Sequence, residues 1–411
     1  MKVILYCLNF KPEIVATGKY NGELADYLFK KGNNIRVITA PKYYPEWKSD
    51  KNKYFKDRDS PYKIYRCPLY IPKLPNGIKR IWHLISFSIT SLPILLLQLT
   101  WEPNLIILVV PTLFCAPNIL LFKLLSSKKV TTILHIQDFE LEAAFNLGIL
   151  KGKQIKYFFS KVENWIYKKF DYISTISNGM LKRLTSKGLI KNTMLFTNWV
   201  DINLIKPKDL EDKKTNKYRN KLQISSETVI IQYSGTMNKK QGFSFLLPII
   251  KSYNNREDIL WLFGGEGPTK NEIIKSTKNL SNIIFLPLQR NEDMNDWLNA
   301  GDIHIIPQDE EVEDLVFPSK LLAILASGRP IVSNTSSESE LGRFIEDAGI
   351  RVDPRDKDGF INALNTLIND PNIRKYYGVK AREIATKTFC KEKVLEDFES
   401  FINNILKNEV T

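Results

Sequence analysis

The stretch FPSKLLAILASG (317–328) sets Lys320 among apolar residues at helical spacing, followed by the small Ala323, Ser327 and Gly328. A lysine beside the unpaired N–H groups of a helix start suits an anion, and a departing diphosphate in particular. YSGTMNKKQG (233–242) offers the same chemistry: a strand, Gly235 and Thr236, then Lys239 and Lys240 before Gly242 and a new helix. LFGGEGP (262–268) ends another strand in Gly264 and Gly265. Near the start, KPEIVATGKY (11–20) opens a helix in which Gly18, next to Lys19, lets the backbone approach a phosphate or sugar. It is neither a GxGxxG fingerprint nor a P-loop, which argues against a dinucleotide or ATP site. HIQD (135–138) places His135 at a strand end.

The elements that must carry these residues alternate regularly. Short β-rich apolar runs (VILYCLNF, NIRVITA, LIILVV, TTILHI, YISTIS, MLFTNWV) are separated by helical patterns, including one around Asn21–Lys31. That rhythm predicts a doubly wound parallel sheet. Near Pro207 it breaks into the polar KPKDLEDKKTNKYRNKLQI, which reads as an interdomain linker leading into a helix. It then restarts with VIIQYSG, ILWLFGG, IIFLPL, IHIIPQ, PIVSN and GIRVD. The expected organisation is residues 1–204, residues 205–385, and a final helix in 386–411 packing back on the first domain. Ligands of open parallel sheets bind at the carboxyl ends of the strands, where the glycine and lysine turns above converge.

The formal charge of +14 is unevenly placed. Residues 1–205 hold 30 Lys and Arg against 14 Asp and Glu, whereas residues 206–411 hold 29 against 31. Such asymmetry points to a polyanionic partner for the first half, either nucleic acid or an anionic membrane face. Recognised nucleic-acid modules are absent, so no nucleic-acid partner is expected. Cys7, Cys67, Cys115 and Cys390 form no CxxC pair, which fits a reducing cytoplasm. The apolar run in the opening MKVILYCLNFKPE is too short for a secretory signal and reads as a buried first strand. No charged residue lies between Arg80 and Glu102. A spanning hairpin over 81–122 is disfavoured by Pro93, Gln98, scattered hydroxyls and the strand-like LIILVV. Two readings remain for this segment: a shallow membrane attachment, in which Lys79 and Arg80 flank Trp82 and Phe87, and an ordinary core helix.

Taken together, GKYNGELADYL, ITAPKYYPEW, HIQDFELEAAFNLGIL, STISNGM with NWVD, GTMNKKQG, FLPLQ, IHIIPQ and FPSKLLAILASGRPIV resemble the family 4 glycosyltransferases, nearest to the WcaI-like group of colanic acid and O-antigen biosynthesis. The resemblance covers nearly the whole chain. It implies a GT-B fold, two Rossmann-like domains facing across a cleft, with the nucleotide sugar on the second and the acceptor and membrane on the first. On that resemblance Gly18 and Lys19 face the donor phosphates and acceptor, and His135, with Gln137 and Asp138, lies near the transferred sugar. Lys240 and Lys320 serve the diphosphate with Ser319. Gly235, Thr236, Lys239, Gly264, Gly265, Leu286, Leu288, Leu321 and Glu340 complete the donor side.

This chain departs from the family pattern in places. The usual Arg and Lys after the strand glycine are Thr236 and Gln241, and the Glu-x7-Glu pair is Leu315 and Ala323. Lost acid contacts suggest a sugar with fewer hydroxyls to grip, such as a 6-deoxy sugar. The expectation is a retaining transferase moving a sugar from a UDP- or GDP-sugar to a lipid-linked saccharide at the inner face of the plasma membrane. No metal motif such as DxD stands at an expected strand end, so metal independence is expected, with lysines and helix N-termini stabilising the diphosphate. A GT-B sugar-nucleotide epimerase is the rival; it would need acid and base carboxylates and no acceptor.

Overall fold

The structure, a computed structural model, describes residues 1–13, 16–43, 47–48, 60–73, 77–139, 152–189, 192–209, 213–238, 241–309 and 318–408. The chain divides into two units, Met1–Thr197 with Leu395–Thr411, and Asn198–Val394.

The first unit is built on a seven-stranded sheet ordered β3-β2-β1-β4-β5-β6-β7, and every pairing is parallel. Its strands are β1 (Lys2–Cys7), β2 (Asn34–Thr39), β3 (Lys63–Arg66), β4 (Leu105–Val110), β5 (Thr131–Ile136), β6 (Tyr172–Thr175) and β7 (Thr193–Leu195). The LIILVV of β4 is buried along its whole length, as a central strand covered by helices on both faces must be. Helix α1 (Ala16–Lys30) joins β1 to β2. Helices α2 (Gly77–Leu96), α3 (Ala116–Leu125), α4 (Lys153–Tyr167) and α5 (Asn178–Ser186) carry the later crossovers. These crossovers all step the same way along the sheet, so right-handedness puts the four helices on one face and α1 on the other.

Residues 81–96 lie in helix α2. Its inner face buries His83, Phe87, Ser88, Ser91 and Leu95. Ser91 bonds the Tyr6 hydroxyl, and the Asn118 amide donates to the Ser88 carbonyl at 2.7 Å. Those are the contacts of a core helix, yet Ile78, Trp82 and Ile89 remain exposed on its outer side. No described helix is long and apolar enough to cross a membrane.

The second unit holds a six-stranded parallel sheet ordered β10-β9-β8-β11-β12-β13. Its strands are β8 (Val229–Ser234), β9 (Ile259–Gly264), β10 (Ile283–Leu286), β11 (Ile303–Ile305), β12 (Ile331–Asn334) and β13 (Gly349–Val352). Before, between and after them run α6 (Lys217–Lys221), α7 (Phe243–Ser252), α8 (Lys270–Ser276), α9 (Met294–Ala300), α10 (Lys320–Ala326), α11 (Glu340–Ala348), α12 (Lys357–Asn369) and α13 (Pro371–Thr388). Trp261, Phe263 and Tyr233 fill the core between the sheet and the α7 and α12 side.

The polar run after Pro207 is not a linker. Asp302 sits at the base of β11 and accepts from Arg219 Nη2 at 2.6 Å, while the Lys213 ammonium pairs with it at 2.6 Å. Arg219 is fully buried and also donates to the Ala300 carbonyl. A buried carboxylate with two cationic partners needs those partners close by, so the charged segment is drawn into the second unit. The division falls at Thr197/Asn198 instead of 204/205. Val200 donates to Phe389 at 2.8 Å and accepts from Lys391 at 3.1 Å, which ties NWVD to the second unit.

The closing helix α14 (Lys391–Asn408) contributes its part from Leu395 onward to the first unit. Phe398 stacks on Phe196 with centroids 3.7 Å apart, and Glu399 accepts from the Tyr27 hydroxyl at 2.9 Å.

Candidate functional site

In each sheet the strand order reverses at one place, between β1 and β4 and between β8 and β11. The loops leaving the carboxyl ends of these strands form the natural ligand crevice of an open parallel sheet.

In the second unit that crevice collects Lys320. Strand alternation puts Tyr233 and Gly235 on one side of β8, and Lys320, the first residue of α10, lies against them. Its Nζ donates to the Tyr233 hydroxyl at 3.2 Å and to Gln241 Oε1, and stands 4.3 Å from the Tyr233 ring centroid. A Cβ placed on Gly235 would meet Nζ at 3.8 Å. The Tyr233 hydroxyl itself donates to the Thr236 carbonyl at 2.7 Å. Burial raises the Tyr233 pKa, so the phenol stays protonated. Lys320 therefore has neutral acceptors, and among the described residues no carboxylate pairs with it. Burial lowers its pKa to about 7. Ala323 lies one turn along on the same helical face, so the helix itself supplies no countercharge there.

The glycine turn of β9 meets the same place. Gly235 donates to the Gly264 carbonyl at 2.9 Å and Gly265 to the Leu286 carbonyl at 3.2 Å. Gly265 has φ +148°, and a Cβ on it would fall 1.9 Å from the Gly235 carbonyl oxygen; on Gly264 it would fall 2.2 Å from the Trp297 ring. Both glycines have steric reasons to be glycine before any ligand is considered.

The structure thus gathers Gly235, Thr236, Gly264, Gly265, Leu286 and Lys320 at one edge. Ser319 caps α10 without a side-chain bond, and Leu321 faces the core. Glu340 begins α11 after β12, and Leu288 is exposed beyond β10. Lys239, Lys240 and Leu315 lie outside the described residues. Sequence reasoning missed Tyr233 as the group under the lysine; its signal is the residue two before a strand-end glycine.

In the first unit, His135 lies in β5 and is buried. Its Nε2 faces the Gln137 amide nitrogen at 3.1 Å and its Nδ1 the Ser174 hydroxyl at 2.9 Å, while the ring packs 5.0 Å from Phe196. An amide donor at Nε2 puts the ring proton on Nδ1. Burial lowers the imidazole pKa to about 3, so the ring is neutral and both nitrogens are engaged inside the unit. Asp138 is half-buried beyond it. Gly18 sits in the first turn of α1, where a Cβ would come 3.1 Å from Glu13 Cβ, and Lys19 is exposed. Glu13, which the sequence reading did not single out, is the buried acid of this loop. It accepts from Asn9 Nδ2 at 2.6 Å and from the Tyr43 amide at 3.1 Å. The carboxylate between β1 and α1 in KPE was its only signal.

Comparison with known proteins agrees with this geometry. Residues 228–370 match the model of the family "Glycosyl transferases group 1". WcaI of Escherichia coli (strain K12), described as a colanic acid biosynthesis glycosyl transferase, is 34% identical over 98% of this chain and 100% of its own length. Among solved structures, sucrose-phosphate synthase of Thermosynechococcus elongatus superposes with TM-score 0.76 at 14% identity, over 99% and 100% of the two chains. HepE of Anabaena, solved in complex with UDP and glucose, superposes with TM-score 0.71 at 14% identity over 98% and 99%. At that identity the likeness shows the GT-B fold.

Proposed function

The chain belongs to the WcaI-like group 1 glycosyl transferases, and on that premise we propose that it moves a sugar from a UDP- or GDP-sugar to a lipid-linked saccharide in bacterial surface polysaccharide assembly. The C1–O bond to the diphosphate breaks, a bond from C1 to an acceptor oxygen forms with retention at C1, and the acceptor proton leaves with the nucleoside diphosphate. The reaction takes place at the inner face of the cytoplasmic membrane, where such an acceptor is anchored.

The observation that carries this reading is Lys320, a half-buried ammonium with neutral hydrogen-bond acceptors, no described carboxylate partner and a glycine turn in contact with it. Held in place before substrate arrives, it stabilises charge as the diphosphate departs. The proposed step needs no metal, because the lysine meets the charge of the leaving group. Ala323 in place of an acid leaves donor hydroxyls without a carboxylate to grip them, which favours a 6-deoxy sugar.

A thermal-shift screen of nucleoside diphosphates and their sugars tests the donor. A ligand at about a hundred times its dissociation constant adds roughly 2.7 kcal/mol. Stabilisation by UDP or GDP, with sugar transfer only when lipid-linked acceptor is present, is the expected result. Donor turnover that proceeds fully without acceptor would point to the epimerase chemistry instead.

A further inference from the structure

Helix α4 has one carboxylate, and it is turned inward. Glu163 is buried against Lys187 at 2.5 Å, on the side where Ile166 and Tyr167 also enter the core. The outward side is different in kind. Ile155, Phe158, Val162 and Trp165 are all exposed, Phe158 by 63% and Trp165 by 54%. Their spacing of three, four and three residues lines them up in one stripe along the helix. Lys161, Lys168 and Lys169 are exposed beside this stripe, with Lys161 Nζ 4.7 Å from the Tyr157 ring and Lys169 Nζ 5.5 Å from the Trp165 ring. The exposed surface of the helix is therefore apolar and aromatic along its centre, and every charged side chain described as exposed on it is a lysine.

We propose that this face of α4 is a docking surface for an anionic lipid bilayer. Three features select a bilayer. Lysine is depleted in protein–protein interfaces, whereas here it flanks the stripe. An amphipathic helix with aromatic and aliphatic residues on one face and lysines at its edges settles in the headgroup region, with its apolar side entering the acyl boundary. Trp165 and Tyr157 each pair an apolar ring with a polar tip, the property that favours the interface. α2 lies on the same side of the sheet and also exposes the apolar Ile78, Trp82 and Ile89. The inference deepens the proposed function by naming the surface that brings the enzyme to a membrane-borne acceptor.

The test is sedimentation of the full chain with vesicles of phosphatidylglycerol and phosphatidylcholine in equal parts, and with phosphatidylcholine alone. Binding to the anionic vesicles at low salt and substantial release near about 1 M salt are expected. Phe158→Glu with Trp165→Glu should lower the partition coefficient by about tenfold or more. Lys161→Gln with Lys168→Gln keeps the apolar stripe and should weaken binding mainly at low salt. Circular dichroism establishes that each variant is folded, and the second pair keeps the test decisive if the first is not. Unchanged binding in both folded variants, absence of wild-type binding, or a wild-type dimer that the Phe158 and Trp165 changes dissolve would each overturn the assignment. Donor binding and transfer to a water-soluble acceptor analogue are measured on the same proteins. Their loss with vesicle binding intact would count against the transferase reading and leave the docking surface standing.

Discussion

The Lys320 ammonium lies 3.2 Å from the Tyr233 hydroxyl and 4.3 Å from the centroid of that ring. The pair comes from α10 and β8, and the lysine's described acceptors, a protonated phenol below and an amide oxygen beside it, are both neutral. Replacing Lys320 with Ala should cut turnover by about 10- to 1000-fold, the range for losing one preorganised contact to transition-state charge. Lys320→Met, which keeps most of the stem, should be as inactive and better folded. Steady-state kinetics with unfolding curves decide it, and near-wild-type turnover in both variants would remove the diphosphate from this place.

The same lysine makes donor binding consume protons. With a pKa lowered to about 7, Lys320 is largely neutral at pH 8 in the free protein, and a bound diphosphate would favour its charged form. Calorimetry of UDP or GDP binding at that pH, in buffers of different ionisation enthalpy, should show proton uptake that vanishes in Lys320→Met. The linked stability has the matching sign. The unfolded lysine holds its proton up to about pH 10.4, so between pH 7 and that value the unfolded state binds more protons and the folded state gains stability as pH rises. The gain should be absent from the Met variant.

Ala323 sits three residues after Lys320 on the same face of α10. Ala323→Glu should form an intrahelical pair with the ammonium and compete with the donor. Nucleoside-diphosphate affinity should fall by about 10- to 100-fold, the worth of one hydrogen bond to a charged group. Tighter binding in this variant would instead mean that an acid at 323 reaches donor hydroxyls.

His135→Ala removes the imidazole that the Ser174 hydroxyl and the Gln137 amide meet in the core. Urea unfolding should show a loss of about 1–3 kcal/mol. The folded imidazole has a pKa of about 3, below its unfolded value, so wild-type stability falls as pH drops from about 6.5 toward 3. The variant should lose less over that range. A stable variant with reduced turnover would give the imidazole a role at the sugar.

Gly265→Ala forces a side chain into a backbone region that few residues adopt and onto the Gly235 carbonyl. A stability loss of about 1–3 kcal/mol or more is expected, accompanied by weaker donor binding, because the displaced Gly235 turn borders Lys320. An unchanged melting temperature would show that the β8 and β9 turns are not locked together.

Much of this architecture could be read from residue patterns. β4 and β9 announce themselves as uninterrupted apolar runs, because strands covered on both faces carry no polar alternation. β3 was missed because KIYR is four residues long, with Lys63 exposed and Ile64 and Arg66 buried. The stretch around Lys213 and Arg219 was misread because composition reports charge and not where the charge goes; only the fold brings Asp302 to it. Lys320 and Gly235 could be picked out as a helix start and a strand end. Their closure around Tyr233 and Gln241 could not, since those contacts span 87 and 79 positions and depend on the parallel register.

The stacking of Phe398 on Phe196 has a consequence for synthesis on the ribosome. The sheet that carries Phe196 and Tyr172 is complete in sequence by Leu195, yet the helix that covers those rings comes after the whole of Asn198–Val394. At about 5–20 residues per second, that interval lasts roughly 10–40 s, during which the nascent first unit shows the ribosome exit a bare aromatic patch. Such a patch is a natural place for a holding chaperone, and a stop codon that removes α14 should leave a chain the cell degrades even though every strand is present.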